Sequence, residues 1–347
     1  MEVSYDVAVI GGGPAGCAAA ITAARAGQRV LLCEKGRYPR HKVCGEFISP
    51  ESHEVLADLL GSDHPLLKTP PQITQARMFV DGNCLDFSLP QPAWSIPRFD
   101  LDHAFWHAAI RAGATCRDST TAESISADSL RIDREEIKAG TVINASGRWS
   151  NLRRPSLVES GPRWIGIKAH FTGEHGPPST DVYFFDGGYC GVQPISDGKI
   201  NASAMVRADV ATSLPEVFAA HQDLWLRSRA WEQVTETVTT SPLIHAAPEP
   251  VTNGVINAGD AVAFIDPYTG DGISLALRTG VLAAQCAMSG GPNLYAGEYQ
   301  QRFARAFQTA AFTRRLSRAP KAVRRIAEFA FQSDFVKRWA LSLTRGA

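Results

Sequence analysis

Residues 5 to 34 leave few folds open to this chain. Tyr5-Asp6-Val7-Ala8-Val9-Ile10 is short, apolar and β-branched, as a buried parallel strand requires. Gly11-Gly12-Gly13-Pro14-Ala15-Gly16 follows at once. Gly11 permits a tight turn, Gly13 lets the backbone approach a pyrophosphate, and Gly16 lets the next helix pack closely on the strand. Ala15 to Ala26 form a small-residue helix whose N-terminal amides and dipole face the phosphates. Gly27 stops it, and Arg29-Val30-Leu31-Leu32-Cys33-Glu34 supplies the second strand. Glu34 lies about 20 residues beyond the glycines, where an acid takes the ribose hydroxyls of an adenosine. Strand, turn, helix, strand and acid fall in register, which predicts a dinucleotide site for NAD or FAD.

The chain has 347 residues, 44% of them hydrophobic, so two lobes can share one cofactor. Its 35 basic and 35 acidic residues cancel, which argues against nucleic acid as a partner. Met1-Glu2-Val3-Ser4 leads straight into the first strand, with no signal peptide. No apolar run reaches the ~18 residues of a membrane span. Cysteines 17, 33, 44, 84, 116, 190 and 286 show neither CxxC nor zinc spacing. That pattern predicts reduced thiols and a cytoplasmic protein, with Cys17 and Cys33 as small core residues.

Lys35 to Glu46 form a polar loop dense in cations and glycine, leaving the sheet beside the cofactor. Ser49 and Pro50 open a helix that ends at Gly61. Residues 73–87 alternate around Asp81-Gly82-Asn83, a hairpin signal. Arg98 and Asp100 precede a helix from Leu101 to Ala112. Thr141 to Gly147 reads as a buried strand rejoining the nucleotide sheet. Residues 163–245 read as β-rich with one helix, Leu214 to Trp231. Gly254 to Asp260 returns as another buried strand, running on through Ala261 to Ile265. Ser274 to Met288 and the tail from Leu294 read as helical.

A second glycine cluster follows that return. Asp260 stands at a strand end, where it takes a ribityl or ribose hydroxyl. Gly270 and Gly272 open the next helix, so bare amides face an anion or an electron-rich ring edge. A reduced flavin gains from such a helix N-terminus. A plain NAD dehydrogenase has no need of a second cluster this far along, so the separation favours FAD.

These segments resemble the FAD motifs of the geranylgeranyl reductase and aromatic hydroxylase superfamily, to which flavin halogenases belong. The resemblance rests on the first glycine cluster, on Asn144-Ala145-Ser146-Gly147-Arg148, on Gly259-Asp260 and on Asp266 to Ile273. Pro39 to Glu46 is similar to the PRxKxCG segment of the geranylgeranyl reductase branch. Arg98-Phe99-Asp100-Leu101 resembles the start of the helix beside the FAD. The resemblance implies an α/β fold with a Rossmann-like FAD-binding domain of the glutathione-reductase type. It implies an inserted antiparallel β-sheet substrate domain and a helical C-terminus. The bounds read as 1–72, 98–160 and 250–290 for FAD, 73–97 and 161–249 for substrate, and 291–347 for the tail. Cofactor contacts are then expected from Gly11, Gly13, Pro14, Ala15, Gly16, Glu34, Lys35, Cys44, Gly45, Arg98, Gly147, Gly259, Asp260, Pro267, Gly270, Gly272 and Ile273.

Gly188-Tyr189-Cys190-Gly191-Val192-Gln193-Pro194 has the spacing of the family's GYxWxFP or GWxWxIP cavity stretch. Gly191 replaces its middle tryptophan, which weakens the halogenase reading most and opens room for a bulkier or more planar substrate. Cys44, Tyr189 and Gln193 are the catalytic candidates. The resemblance implies that Cys44 faces the cavity as a functional thiol, its pKa lowered by Arg40 and Lys42; otherwise it is a packing residue. Tyr189 donates a hydrogen bond to substrate or packs in the sheet. Gln193 orients a carbonyl or faces solvent. His170 and His245 read as structural, and no metal site is expected.

The favoured function is a monooxygenase that hydroxylates or epoxidises an apolar or aromatic small molecule. The absent tryptophan and short chain move it off the reductase pattern. The alternative is a reductase of isoprenoid-like C=C bonds; a halogenase or an electron-transfer subunit comes after. The electron donor is open between NAD(P)H, a ferredoxin and a flavin reductase. The basic, aromatic tail after Arg302 reads as a helical cap, or as a helix that docks an acidic carrier protein or a membrane surface.

Overall fold

The computed structural model describes residues 4–148, 152, 162–174, 176–241, 247–265, 267 and 270–317. The chain opens with β1 (Ser4–Ile10), α1 (Pro14–Arg25) and β2 (Val30–Cys33). β3 (Phe47–Ile48) and a 3-10 turn at Pro50–Ser52 lead into α2 (His53–Leu60) and α3 (Pro65–Lys68). The hairpin of β4 (Gln72–Val80) and β5 (Asn83–Ser95) runs into α4 (Arg98–Arg111). β6 (Thr115–Arg117), β7 (Ala122–Ile125), β8 (Ser129–Ile132) and β9 (Glu135–Asn144) follow. Then come β10 (Trp164–Thr172), β11 (Ser179–Phe185), β12 (Gly188–Ile195) and β13 (Lys199–Arg207). After them lie α5 (Leu214–Ala219), α6 (Gln222–Ser228), β14 (Glu232–Gln233) and β15 (Val238–Thr240). β16 (Val251–Thr252), β17 (Val255–Asn257), α7 (Gly272–Ser289) and α8 (Gly291–Ser317) complete the described chain.

Two sheets result. The first has the order β16-β17-β9-β1-β2-β6, with β7 and β8 beyond β9. β17, β9, β1, β2 and β6 run parallel, so they must be covered on both faces. That explains their near-continuous apolar sequences: β2 is buried along its whole length. Both expected returns are seen, with Ile10 beside Asn144 and Ile143 beside Ile256. Burial pushes the Cys33 thiol up to about 12 and the Cys17 thiol well up, as suits inert packing groups.

The second sheet has the order β14-β10-β13-β12-β11-β4-β5-β3. It is antiparallel except where β4 meets β11 in parallel. These two strands come from separate excursions out of the nucleotide half, so no hairpin dictates their direction. Ile167, Ala169, Cys190, Val192, Ala202 and Ala204 face one side and pack under α5 and α6. Their sequence neighbours line the opposite face by strand alternation.

The hairpin turn is Asp81-Gly82, both at positive φ, the backbone a two-residue turn of this hand needs. Three boundaries differ from expectation. The helix expected over 214–231 is two, because His221 turns to extended backbone and sets its ring edge-on to Tyr183, 5.2 Å away. The strand expected through Ala261–Ile265 is instead a 3-10 turn at Gly259–Ala261. α4 starts at Arg98, three residues early, because Glu46 accepts its first amide. Ser49 precedes the Pro50 turn without a side-chain cap bond, and its hydroxyl is buried with no partner among the described residues. His245 and the tail beyond Ser317 lie outside the described residues. Among those described, no helix is long and apolar enough to cross a membrane.

Candidate active site

The first glycine cluster works by close approach. A Cβ on Gly11, at φ +101°, would fall 2.3 Å from the Ala145 carbonyl oxygen. One on Gly16 would fall 1.7 Å from the Gly11 carbonyl oxygen. Gly13 differs: a Cβ there would meet only the Arg98 guanidinium, 4.0 Å away. Two glycines thus bring backbone together, while the third leaves a cleft above the first turn of α1 with a cation across it. Pro14 and Ala15 form that turn, and the amides of Ala15 and Gly16 have no carbonyl a turn earlier within the helix.

The second cluster packs directly on the first. A Cβ on Gly259, at φ +61°, would come 2.9 Å from Ala15 Cβ. Gly280 of α7 approaches the Ala15 carbonyl oxygen so closely that a Cβ would lie 2.1 Å from it. Thr279 Oγ1 accepts the Gly259 N–H at 2.9 Å, fastening the 3-10 turn to α7. Gly270, at φ +75°, lies under the Phe47 ring, and Gly272 opens α7 with free space beside it. Ile273 is buried, Asp260 half-buried and Pro267 exposed. Gly147, at φ +79°, follows β9, and no described atom lies within 4 Å of where its Cβ would stand. These residues gather at the carboxyl ends of parallel strands, where such sheets bind ligands.

Glu34 is buried, and three donors already hold it. Oε2 accepts the Gly12 N–H at 2.8 Å; Oε1 accepts the Gly36 N–H at 2.8 Å and Arg40 Nη1 at 2.6 Å. Burial pushes its pKa up, but Arg40 and the Gly36 and Gly12 amides together hold it below the usual carboxylate range. A carboxylate has about four acceptor positions, so about one remains for a ribose hydroxyl. Arg40 is therefore engaged with Glu34, not with Cys44 as expected from sequence. Lys35 beside it is exposed.

The loop after Arg40 joins the two halves. Glu46 is fully buried, with Oε1 accepting the Arg98 N–H at 2.8 Å and the Lys168 ammonium, and Oε2 paired with His170 Nε2 at 2.8 Å. Burial raises its pKa, yet His170 and Lys168 hold it below the usual range. Asn201 Nδ2 donates to the carbonyls of Cys44 at 3.2 Å and Gly45 at 2.8 Å. Cys44 is half-buried; its Sγ accepts the Glu46 N–H at 3.3 Å and interacts with the Arg98 side chain. Arg98 also grips Asp102 through both carboxylate oxygens, at 2.6 and 2.7 Å. Sequence reasoning missed Lys168 and Asn201; a lysine inside the apolar run Trp164–Thr172 was the available signal.

Strand pairing sets out the sheet face on this side. One row holds Met205, Tyr189 and Phe184; the next holds Lys168, Ser203, Gly191, Val182 and Met78. Met205 packs with Phe264, Trp164 and Tyr189, and the Arg148 guanidinium lies 4.3 Å from the Phe264 ring centre. Tyr189 is half-buried, its hydroxyl 3.8 Å from Met205 Sδ. Gln193 is buried, not solvent-facing, and its amide donates to Ser95 Oγ at 2.6 Å. It pins β12 to β5. At Gly191 a Cβ would meet only the Ser203 carbonyl oxygen at 3.7 Å, so a side chain fits on this face. Gly191→Trp is expected to fold and to lower turnover by occupying the face; unchanged kcat and KM would remove Gly191 from the substrate site.

A Rossmann turn whose two distant glycine clusters share one cleft defines a dinucleotide-dependent flavoprotein, and residues 6–39 match the FAD dependent oxidoreductase family. The chain belongs to the geranylgeranyl reductase family of FAD-dependent oxidoreductases. It is 32% identical to the geranylgeranyl diphosphate reductase of Rhodobacter capsulatus over 83% of this chain and 76% of that one. It is 27% identical to the menaquinone reductase of Mycolicibacterium smegmatis, over 89% of this chain and 84% of that one. The flavin-dependent brominase Bmp2 superposes with a TM-score of 0.84 at 19% identity, covering 99% and 94% of the two chains.

The residues present fit FAD. The cleft at Gly13 accepts a group that no described side chain fills, and the Arg98 guanidinium borders it. Lys42 stands among Arg40, Glu34, Arg98 and Asp102; burial and then Arg40 lower its pKa to about 8. A pyrophosphate beside it would favour the charged form and raise that value. FAD affinity is then expected to be flat below about pH 8, where Lys42 is charged with or without ligand. It should fall above that pH, where binding must take up a proton. Lys42→Met should abolish the fall; a wild-type affinity flat to pH 10 would place Lys42 away from the phosphates.

Proposed function

We propose that this chain saturates a carbon–carbon double bond of a polyprenyl-type lipid, with FAD as its resident cofactor. The observation that carries the reading is Cys44, half-buried in the loop between the two halves, with Arg98 against its sulfur. Saturation adds a hydride to one carbon and a proton to the other. Bound FAD, once reduced, would supply the hydride. The Cys44 thiol supplies the proton, the Arg98 guanidinium faces the charge left on sulfur, and solvent then reprotonates it. The sheet face of Met205, Tyr189, Phe184, Val182 and Met78 suits an aliphatic chain. Relatives matched over four-fifths of this chain are named for reducing menaquinone and geranylgeranyl diphosphate.

A monooxygenase acting on an apolar or aromatic substrate is the second reading. The observation in its favour is the open position at Gly191, which admits a planar ring. The two separate in one experiment. Dithionite-reduced protein is mixed anaerobically with geranylgeranyl diphosphate, and the product is weighed by mass spectrometry. The reductase reading expects two added hydrogens without oxygen. A product heavier by one oxygen atom, formed only in air, overturns it. Cys44→Ser should retain FAD and lose roughly 100-fold in turnover, the usual worth of a positioned acid.

A further inference from the structure

We infer that Glu46 is the positioning residue of the Cys44-Gly45-Glu46 loop, and that Lys168, His170 and Asn201 of the substrate-side sheet set that loop's orientation toward the cofactor. The inference rests on the FAD reading above.

Glu46 collects three donors from two distant elements. Arg98 brings the first amide of α4, while Lys168 and His170 come from β10, more than a hundred residues away. Its backbone sits at φ 60°, a left-handed conformation that a non-glycine residue holds only when its surroundings impose it. Lys168 is 1% exposed, and its ammonium pairs with the Glu46 carboxylate. A buried ion pair is weak evidence for stability, since apolar residues of like volume hold two layers together as well. Three donors fixed on one carboxylate impose direction instead.

Asn201 acts on the same loop from β13. Its amide donates to both the Cys44 and Gly45 carbonyls, while its own Oδ1 is buried with no partner among the described residues. That orphan costs stability, so fold stability alone does not account for the arrangement. In a trans peptide the N–H points opposite the carbonyl. With the Cys44 carbonyl held toward the sheet, the Gly45 N–H is turned away from it. That amide has no hydrogen-bond partner among the described residues, and the space where a Gly45 Cβ would stand is open. The sheet thus aims a backbone donor, with the Cys44 sulfur next to it, off its own face. Lys168 shares its row with Ser203 and Gly191, so a molecule on the substrate face lies beside the anchor that orients the loop.

The test uses the full chain. FAD affinity is read by titration, the visible bands of bound FAD by absorption, and folding by circular dichroism and melting of the FAD-free protein. Removing one partner of a buried trio risks unfolding, so the charge-matched pair Glu46→Gln with Lys168→Met is the first variant. It should fold, bind FAD roughly tenfold more weakly, as when other orienting groups are lost, and shift the flavin bands. His170→Leu should do the same, and His170→Gln, which keeps a donor toward Glu46, should restore wild-type bands. Folded variants with wild-type affinity and bands overturn the inference. Should the paired variant not fold, the His170 variants decide by the same two readouts. Failure of the wild-type protein to take FAD would instead defeat the cofactor reading.

Discussion

Gly16→Ala is expected to yield a protein that melts well below wild type and retains no FAD. Helix propensity alone predicts the reverse, since alanine stabilises a helix interior by about 1 kcal/mol over glycine. The added Cβ, however, would stand 1.7 Å from the Gly11 carbonyl oxygen, a backbone atom at the end of β1. Strand and helix must move apart, at a cost of about 1–3 kcal/mol or more, and the cleft at Gly13 opens with them. Gly297→Ala is the matched control. It lies exposed within α8 with nothing near its Cβ position, so the same change should stabilise by up to about 1 kcal/mol. Urea unfolding of both variants and flavin content after gel filtration check this. Equal loss, or none, would mean that α1 does not pack as described.

Glu46→Ala is expected to cost about 3–5 kcal/mol, because it strands the Lys168 ammonium, 1% exposed, without its counter-charge. The pH dependence follows from the sign of the shift. Glu46 and Glu34 both titrate below the ordinary 4.5 in the folded protein. Their contribution is complete above about pH 4.5 and is lost as pH falls toward the folded values, because the unfolded chain binds those protons first. Each group adds at most about 1.4 kcal/mol per pH unit across that window. Wild-type protein should therefore lose stability below pH 4.5 more steeply than Glu46→Gln. Denaturant midpoints at pH 7 and pH 4 measure it. Parallel losses in the two proteins would show that Glu46 is not held as described.

The nucleotide half was legible because its constraints are local. Gly11, Gly13 and Gly16 stand a few residues apart, and β1, β9 and β17 announce themselves as apolar runs ending on Ile10, Asn144 and Asn257. The carboxylate of Glu34 was found by spacing, but not its grip on Gly12, Gly36 and Arg40. Two of those three donors belong to a loop whose path no spacing rule gives. Lys168 escaped notice for a stronger reason. Its partner is 122 residues away, and nothing in the strand around it says that a carboxylate waits there. The parallel meeting of β4 with β11 was hidden likewise, since alternation predicts which face a residue takes but not which strand lies beside it. Gln193 read as orienting a carbonyl or facing solvent; its burial and its bond to Ser95, 98 residues earlier, were not legible in the strand.

The account depends on the two glycine clusters sharing one bound FAD. The direct measurement is the visible spectrum and flavin stoichiometry of the purified chain after incubation with FAD or NAD. The expected result is a yellow protein holding about one FAD per chain, with NAD failing to displace it. A colourless protein that refuses FAD and takes up NAD alone would contradict the account.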